Sequence, residues 1–422
     1  MLSTASWSHP YISPNEKINV GLIGCRSQGF YVLREFLQTG SVNCLGICDV
    51  DQQVLEEKAA ALKNDFQQLP KLYRDFRKML EDKAIDAVII GTPDHWHCLQ
   101  TVFSCQAGKD VYVEKPLANS IGECNLMLEA ARRYNRIVQV GQQQRSSPVW
   151  KGAMEYIQAG HIGKLRKANI WANFHYGIGA RKQPDEPVPA GVDFDLWLGP
   201  APERSFNPAR FHGNWRHFWD YGGGLMTDWG VHLLDMALWA KEDMTEPEQV
   251  MAYGSNLSFE EYSRETYDTM SVIFPKKDYV INWEHAAGHQ TGPYDMSYGI
   301  AFVGDKATVV ADRGDWTVKT GDSKETEEFM TLAKDYKKQS SWSDVGNHVR
   351  DFLSSVKSRE SPSCSVEVGR NVALYAHMAN IAVRSGEGSL SWDVGRQSFT
   401  NSKAGDSLIM SPYRESWRLS SV

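Results

Sequence analysis

The chain has 422 residues, with 45 basic and 52 acidic side chains and a net charge of −7 that gathers into no long run of either sign. With 42% hydrophobic and 23% charged residues, this is the composition of a globular protein, and it argues against nucleic acid or an anionic membrane surface as partners. No apolar stretch is long enough to span a bilayer, and the length favours two domains over one core.

The first sixteen residues, "MLSTASWSHPYISPNE", are Ser-rich and lack a basic n-region, so they do not make a complete signal peptide. They read as an N-terminal extension. The expected compartment is then cytoplasmic by default, or periplasmic if the segment is the remnant of an export signal. From residue 17 to 146 strand and helix patterns alternate. "KINVGLIG" is a short apolar run ending in glycine, followed by a helical pattern through "FYVLREFLQTG". "VNCLGICDVD", "DAVIIGTPD", "DVYVEKP" and "IVQVGQQQR" repeat the strand pattern, with amphipathic helices between them. This order predicts an α/β fold with a doubly wound parallel sheet.

After Arg145 the character changes. A helix ("VWKGAMEYIQAG") leads into an aromatic-rich irregular region that ends near residue 221. The stretch "GGGLMTDWGVHLLDMALW" (222–239) then predicts one buried helix. The segments "DTMSVIFPKKDYVINWEHA" and "YGIAFVGDKATVVADRG" each predict an antiparallel hairpin. Helical patterns follow at 343–357 and 366–385. The expected domains are 17–146 and 147–395, with a polar tail over 396–422. The final helices are expected to be free to pack back on the first domain. Seven cysteines, none in a CxxC pair, include Cys25, Cys44, Cys48, Cys98 and Cys105 in core-like segments, as reduced, buried side chains.

Several residues carry chemistry. In "GLIGCRSQGF", Gly24, Arg26 and Gly29 stand where a G-x-G-x-x-G turn places its glycines, with Ser27 and Gln28 opening the helix whose N-terminus would face a pyrophosphate. Asp49, about twenty-five residues on, is the candidate for the adenosine ribose hydroxyls, with Asp51 as alternate. No cation follows Asp49 within several residues, which favours NAD over NADP. Thr92, Pro93, His95 and His97 in "GTPDHWH", and Glu114 and Lys115 in "VEKP", lie at the carboxyl ends of strands, where wound sheets bind ligands. One H-x-H pair without a third ligand in register does not make a metal site. In the 222–239 stretch, Asp228, His232 and Asp235 share a face at helical spacing, a costly burial unless they are paired or used.

In this order "GLIGCRSQG", "GTPDHWH", "EKP" and "GGGLMTDWGVHLLD", together with the late "WD" at 392–393, resemble the Gfo/Idh/MocA oxidoreductases. The resemblance runs from about residue 17 to about residue 395. It implies a Rossmann domain, then an α+β domain on an open, mainly antiparallel sheet, and NAD(P)-dependent chemistry on sugars or cyclitols. It places the catalytic lysine on Lys115 and the catalytic aspartate and histidine on Asp228 and His232. It also implies a homo-oligomer, dimer or tetramer, paired through the second sheet. Arg26 departs from the glycine of the usual turn.

Oxidising a secondary alcohol removes a proton as well as a hydride, and a histidine is suited to take the proton. Asp228, one turn away, would orient the imidazole or bind a neighbouring hydroxyl, and Lys115 would stabilise the developing alkoxide. Asp235 is either a partner of this set or a buried structural carboxylate. Aromatic platforms with interleaved polar groups suit sugars, and the candidates for substrate contact are Arg145, His175, Arg216, His217 and Tyr221. The expected reaction is NAD-dependent oxidation of a ring hydroxyl of a sugar or glycoside, with carbon 3 the favoured position. The alternative is a redox-assisted glycoside hydrolase or lyase that oxidises the sugar only transiently.

Overall fold

The computed structural model describes residues 17–419; the expected N-terminal extension lies outside them. Six strands, β1 (Ile18–Ile23), β2 (Val42–Cys48), β3 (Lys71–Tyr73), β4 (Ala87–Ile90), β5 (Asp110–Val113) and β6 (Val138–Val140), form a parallel sheet in the order β3-β2-β1-β4-β5-β6. Both faces are apolar. Val20, Leu22, Ile89 and Tyr112 pack on one side with α1 (Ser27–Gln38) and α2 (Gln52–Phe66). Val88, Ile90, Val111 and Val113 pack on the other with α3 (Phe76–Leu80), α4 (Asp94–Gln106) and α5 (Ile121–Arg133). Burial on both faces is why these strands read as nearly continuous apolar runs. The strand order reverses between β1 and β4, and the carboxyl ends open a crevice there.

Beyond α6 (Pro148–Gln158), the chain builds a nine-stranded sheet. In spatial order its strands are Trp316–Lys319, Thr308–Ala311, Tyr298–Val303, Lys167–Ala172, Val280–Ala286, Thr269–Pro275, Gln249–Ser255, Ser389–Asp393 and Ser398–Phe399. One pair is parallel, Lys167–Ala172 beside Val280–Ala286, and the other pairs are antiparallel. Period-two patterning sets its faces: Met270, Val272 and Phe274 point inward while Ser271 and Ile273 point outward.

Helices join the two sheets. The aromatic-rich region contains a short helix, α7 (Phe194–Leu198). The stretch expected as one helix is broken into α8 (Gly224–Asp228) and α9 (Gly230–Ala240). At Trp229 between them the turn tightens, and the His232 amide donates to the Trp229 carbonyl three residues back at 3.1 Å. After α10 (Ser323–Ala333) the chain returns to the first domain. There α11 (Asp344–Ser358) sets Phe352 edge-on to Phe36, ring centres 5.7 Å apart. The last long helix, α12 (Val366–Arg384), packs on α5, α9 and the second sheet.

Residues 396–419, expected as a polar tail, are anchored instead. The Tyr413 hydroxyl donates to Glu123 at 2.6 Å, and the buried Trp417 meets Trp96 edge-on at 4.9 Å. Two aromatic rings supply the apolar area that the overall polarity of the segment conceals.

Candidate active site

The glycine turn is built by close approach. Gly24 has φ +86°, a Cβ there would lie 2.7 Å from the Gly91 backbone, and one on Gly29 would lie 2.1 Å from the Gly24 carbonyl oxygen. The β1–α1 turn therefore packs directly on the end of β4, as only glycine allows. The N-cap of α1 is Arg26, whose side chain makes no capping bond, so the first amides of α1 remain available to an anion. Gln28 donates to Glu114 at 3.0 Å, tying this turn to the end of β5.

A cleft of about 1500 Å³, counting the space open to solvent, runs from this turn into the second domain. At its outer end Asp49 accepts from the amides of Cys25 (2.7 Å) and Asp51 (3.0 Å). Burial raises the Asp49 pKa, and those two amides oppose the rise. Asp51 caps α2 through the amides of Gln53 and Val54. The short-range sequence around Asp49 shows no cation, but the fold brings Arg26 and Arg74 to this end of the cleft. Arg74 is engaged with the Val50 carbonyl at 2.8 Å and Gln52 at 3.4 Å. Uncapped amides, a carboxylate at the end of β2 and aromatic walls from Phe76, Trp96, Trp197 and Phe211 together suit an adenine dinucleotide.

At the inner end Lys115 follows β5, joined to Pro116 by a cis peptide bond. Its ammonium donates to the Asp228 carboxylate at 2.5 Å and to the Asp228 carbonyl at 2.9 Å. Asp228 also accepts from Arg216 Nε at 3.3 Å and from the Tyr176 hydroxyl at 2.6 Å. Burial would raise this carboxyl's pKa, but Lys115 and Arg216 outweigh it and hold the group well below the usual carboxylate range. Asp228 thus grips Lys115 rather than orienting the imidazole.

His232 lines the cleft and is 3% exposed. Burial, then the charges of Arg313 and Lys115, push its pKa well below the ordinary imidazole value, so the ring is neutral. Its Nδ1 has no hydrogen-bond partner among the described residues. A self-satisfied Asp–His packing pair is therefore not what the fold builds here, since an unpaired buried polar atom costs about 1–3 kcal/mol.

Of the residues singled out in the sequence, Gly24, Arg26, Ser27, Gln28, Asp49, Thr92, Pro93, Glu114, Lys115, Arg216 and His232 line the cleft, and Asp228 joins them through Lys115. Eight others do not line it. Gly29 supports the turn from behind. His95 bonds the Trp197 carbonyl at 3.1 Å. His97 lies between the carbonyls of Pro116 (2.8 Å) and Thr92 (2.9 Å), holding two cleft turns together. His175 is exposed, while His217 and Tyr221 are buried behind the cleft wall. Arg145 also turns away from the cleft. Its guanidinium binds the fully buried Asp235 at 2.7 Å and stacks over Trp239 at 5.3 Å, so Asp235 is a structural carboxylate.

Four further positions at the site are not among the sequence candidates: Tyr176, Asp94, Trp229 and Arg313. Asp94 and Trp229 line the cleft, as does Arg313, which stacks over Trp229 at 4.3 Å and donates to Gln144 at 3.1 Å. Tyr176 is the neighbour of the favoured His175, and only its contact with Asp228 reveals it.

Residues 18–142 match the family model described as "Oxidoreductase family, NAD-binding Rossmann fold", and residues 162–260 and 312–419 match its "C-terminal alpha/beta domain". An alpha-N-acetylgalactosaminidase of Shewanella oneidensis is 31% identical over 122 residues, 28% of this chain and 27% of that protein. The chain thus spans about a quarter of the length of the curated relatives it matches. Among solved structures, the WlbA dehydrogenase from Bordetella pertussis, in complex with NADH and UDP-GlcNAcA, aligns with TM-score 0.65 at 18% identity, over 90% of this chain and 100% of that one. A levoglucosan dehydrogenase, in complex with NADH and levoglucosan, gives TM-score 0.65 at 18% identity, over 89% of this chain and 99% of that one. With both of its domain models matched in order along most of the sequence, the chain belongs to the Gfo/Idh/MocA oxidoreductase family.

Proposed function

We propose that this protein is an NAD-dependent oxidoreductase acting on a secondary ring hydroxyl of a sugar or glycoside, with Lys115, Asp228 and His232 as its catalytic set. The observation that carries the proposal is the buried His232 imidazole, its Nδ1 without a hydrogen-bond partner among the described residues, in one cleft with the Lys115–Asp228 pair. Bound NAD supplies the hydride acceptor. The α1 amides and Arg26 would hold its pyrophosphate, and Asp49 its adenosine ribose.

His232, kept neutral by burial and nearby cations, accepts the hydroxyl proton. Lys115 donates a hydrogen bond to the same oxygen as negative charge develops on it. Asp228 fixes the ammonium in place through two contacts. Trp229 and Trp215 offer apolar faces to the ring, and Arg216 and Arg313 offer donors to its hydroxyls. A dehydrogenase of the ring carbon is supported also by the sugar ligands named for the two structural neighbours.

A second reading, redox-assisted glycoside cleavage with transient oxidation, is favoured by the likeness of 122 residues of the chain to the alpha-N-acetylgalactosaminidase. Incubation with NAD and a panel of sugars and glycosides, following NADH and released aglycone together, separates the two. NADH without cleavage supports the first, cleavage without net NADH supports the second, and neither from any member of a broad panel argues against both.

Among the described residues no helix is long and apolar enough to cross a membrane. All seven cysteines are buried free thiols, which supports a reducing compartment, the cytoplasm. The homo-oligomer is proposed to form through the outer face of the second sheet.

A further inference from the structure

The adenosine end of the cleft is made by both domains. Where the chain leaves β2, a segment of the second domain pairs with it as an antiparallel bridge between Asp51 and Val192. The Asp193 amide donates to the Val50 carbonyl at 2.9 Å, and the Gln52 amide to the Gly191 carbonyl at 3.1 Å. The segment continues into α7, whose Leu196 and Trp197 line the cleft. Further along, Phe211 and His212 line it too, with His212 Nε2 3.0 Å from the Arg26 guanidinium and 4.0 Å from the Asp51 carboxylate. Beneath them Val50 packs into the same aromatic cluster as Trp197 and Phe211.

The C-terminal segment clamps this arrangement from outside. Arg414 donates through Nε to the Gly199 carbonyl at 2.7 Å, and through its outer nitrogens to the Asp195 carbonyl at 2.9 Å and the Asp195 carboxylate at 2.5 Å. These contacts bracket α7 at both ends. Trp417, three residues on, braces Trp96 on the opposite wall of the cleft.

We propose that residues 189–216 form a strap, latched by Arg414, that holds the adenosine half of the dinucleotide so that it stays bound from one turnover to the next. The proposal rests on the NAD-binding reading and deepens it. Release requires breaking the Asp51–Val192 bridge or lifting the aromatic cluster, so dissociation is set by local opening of the strap. Arg414 touches neither the cleft nor the catalytic set, and it acts only by holding α7 down.

The test is cofactor exchange. Protein loaded with NAD is chased with excess etheno-NAD, and fluorescence exchange is compared with the turnover rate on the substrate found by the panel. The expected result is exchange slower than turnover in the native protein. In Arg414→Ala exchange is expected to speed up roughly tenfold or more, the scale of a charge-assisted contact, and in Arg414→Lys by an intermediate amount, with the circular dichroism spectrum preserved. If Arg414→Ala does not fold, the native exchange rate and Arg414→Lys decide. Native exchange as fast as turnover, or folded variants that exchange at the native rate, would overturn the strap. Absence of NAD binding in calorimetry would instead sink the NAD reading itself, an outcome distinct from rapid exchange.

Discussion

His232 owes its role to its surroundings. A histidine buried beside two cations loses affinity for its proton, and its neutral form is the one that can act as a base. Because its pKa lies below the ordinary value of 6.5, the base stays competent as pH falls through that value. The acid limb of kcat/KM is therefore expected below pH 6.5, measured with the NAD-loaded protein over a pH series. An acid limb at or above that pH would mean that another group takes the proton.

The residues legible in the sequence were those whose spacing has a meaning. Asp228 and His232 stand one helical turn apart, and Lys115 follows a strand in a short motif. Tyr176 and Arg313 reach the site only through tertiary folding, so no local period marks them. The choice of His175 over Tyr176 missed by one position, because adjacent residues in an irregular loop face different ways and composition alone does not say which faces in. Arg145 misled for a related reason. A buried Arg–Asp pair and a substrate-binding arginine look alike until the carboxylate partner, here Asp235, is seen.

At the scale of elements, α5 is fastened to the C-terminal segment through a buried acid. Glu123 accepts from Ser120 at 2.9 Å and from Tyr413 at 2.6 Å. Burial nevertheless pushes its pKa up to about 7, against an ordinary 4.5, with those two hydroxyls opposing the rise. The folded protein then holds a proton that the unfolded chain releases between these two pH values. The contribution of this group to stability falls as pH rises from about 4.5 to about 7 and is level above that. The full loss is on the order of 3 kcal/mol. Glu123→Gln, which carries no titrating proton, is expected to melt higher than the native protein at pH 8 and nearly with it at pH 4.5. Equal melting temperatures at both pH values would contradict this. The first-domain strands were legible as elements because both of their faces are buried. The break between α8 and α9 was not, because the residues around Trp229 read as helical throughout.

At the scale of the molecule, the outer face of the nine-stranded sheet leaves Met251, Tyr253 and Ile273 exposed at 39%, 64% and 43%. Met251 and Ile273 sit opposite each other on neighbouring strands, so they form one apolar patch of the kind that commonly marks an association surface. Light scattering is expected to show an oligomer for the native protein and a monomer for Ile273→Asp with Tyr253→Asp. A native monomer at micromolar concentration would exclude this interface.

The two domains meet at the Lys115–Asp228 contact, which joins the end of β5 to α8, and the proposed chemistry depends on that meeting. The most direct measurement is nicotinamide reduction in a single turnover, with NAD-loaded protein mixed with the active sugar or glycoside. Because His232 is not among the residues proposed to hold the pyrophosphate or the adenosine ribose, His232→Ala is expected to bind NAD with unchanged affinity. Its reduction step should be slower by roughly 10²–10⁴-fold, the range of a positioned acid–base group, about 3–5 kcal/mol of barrier. Reduction in His232→Ala at the native rate per folded molecule, whatever its melting temperature, would contradict the assignment.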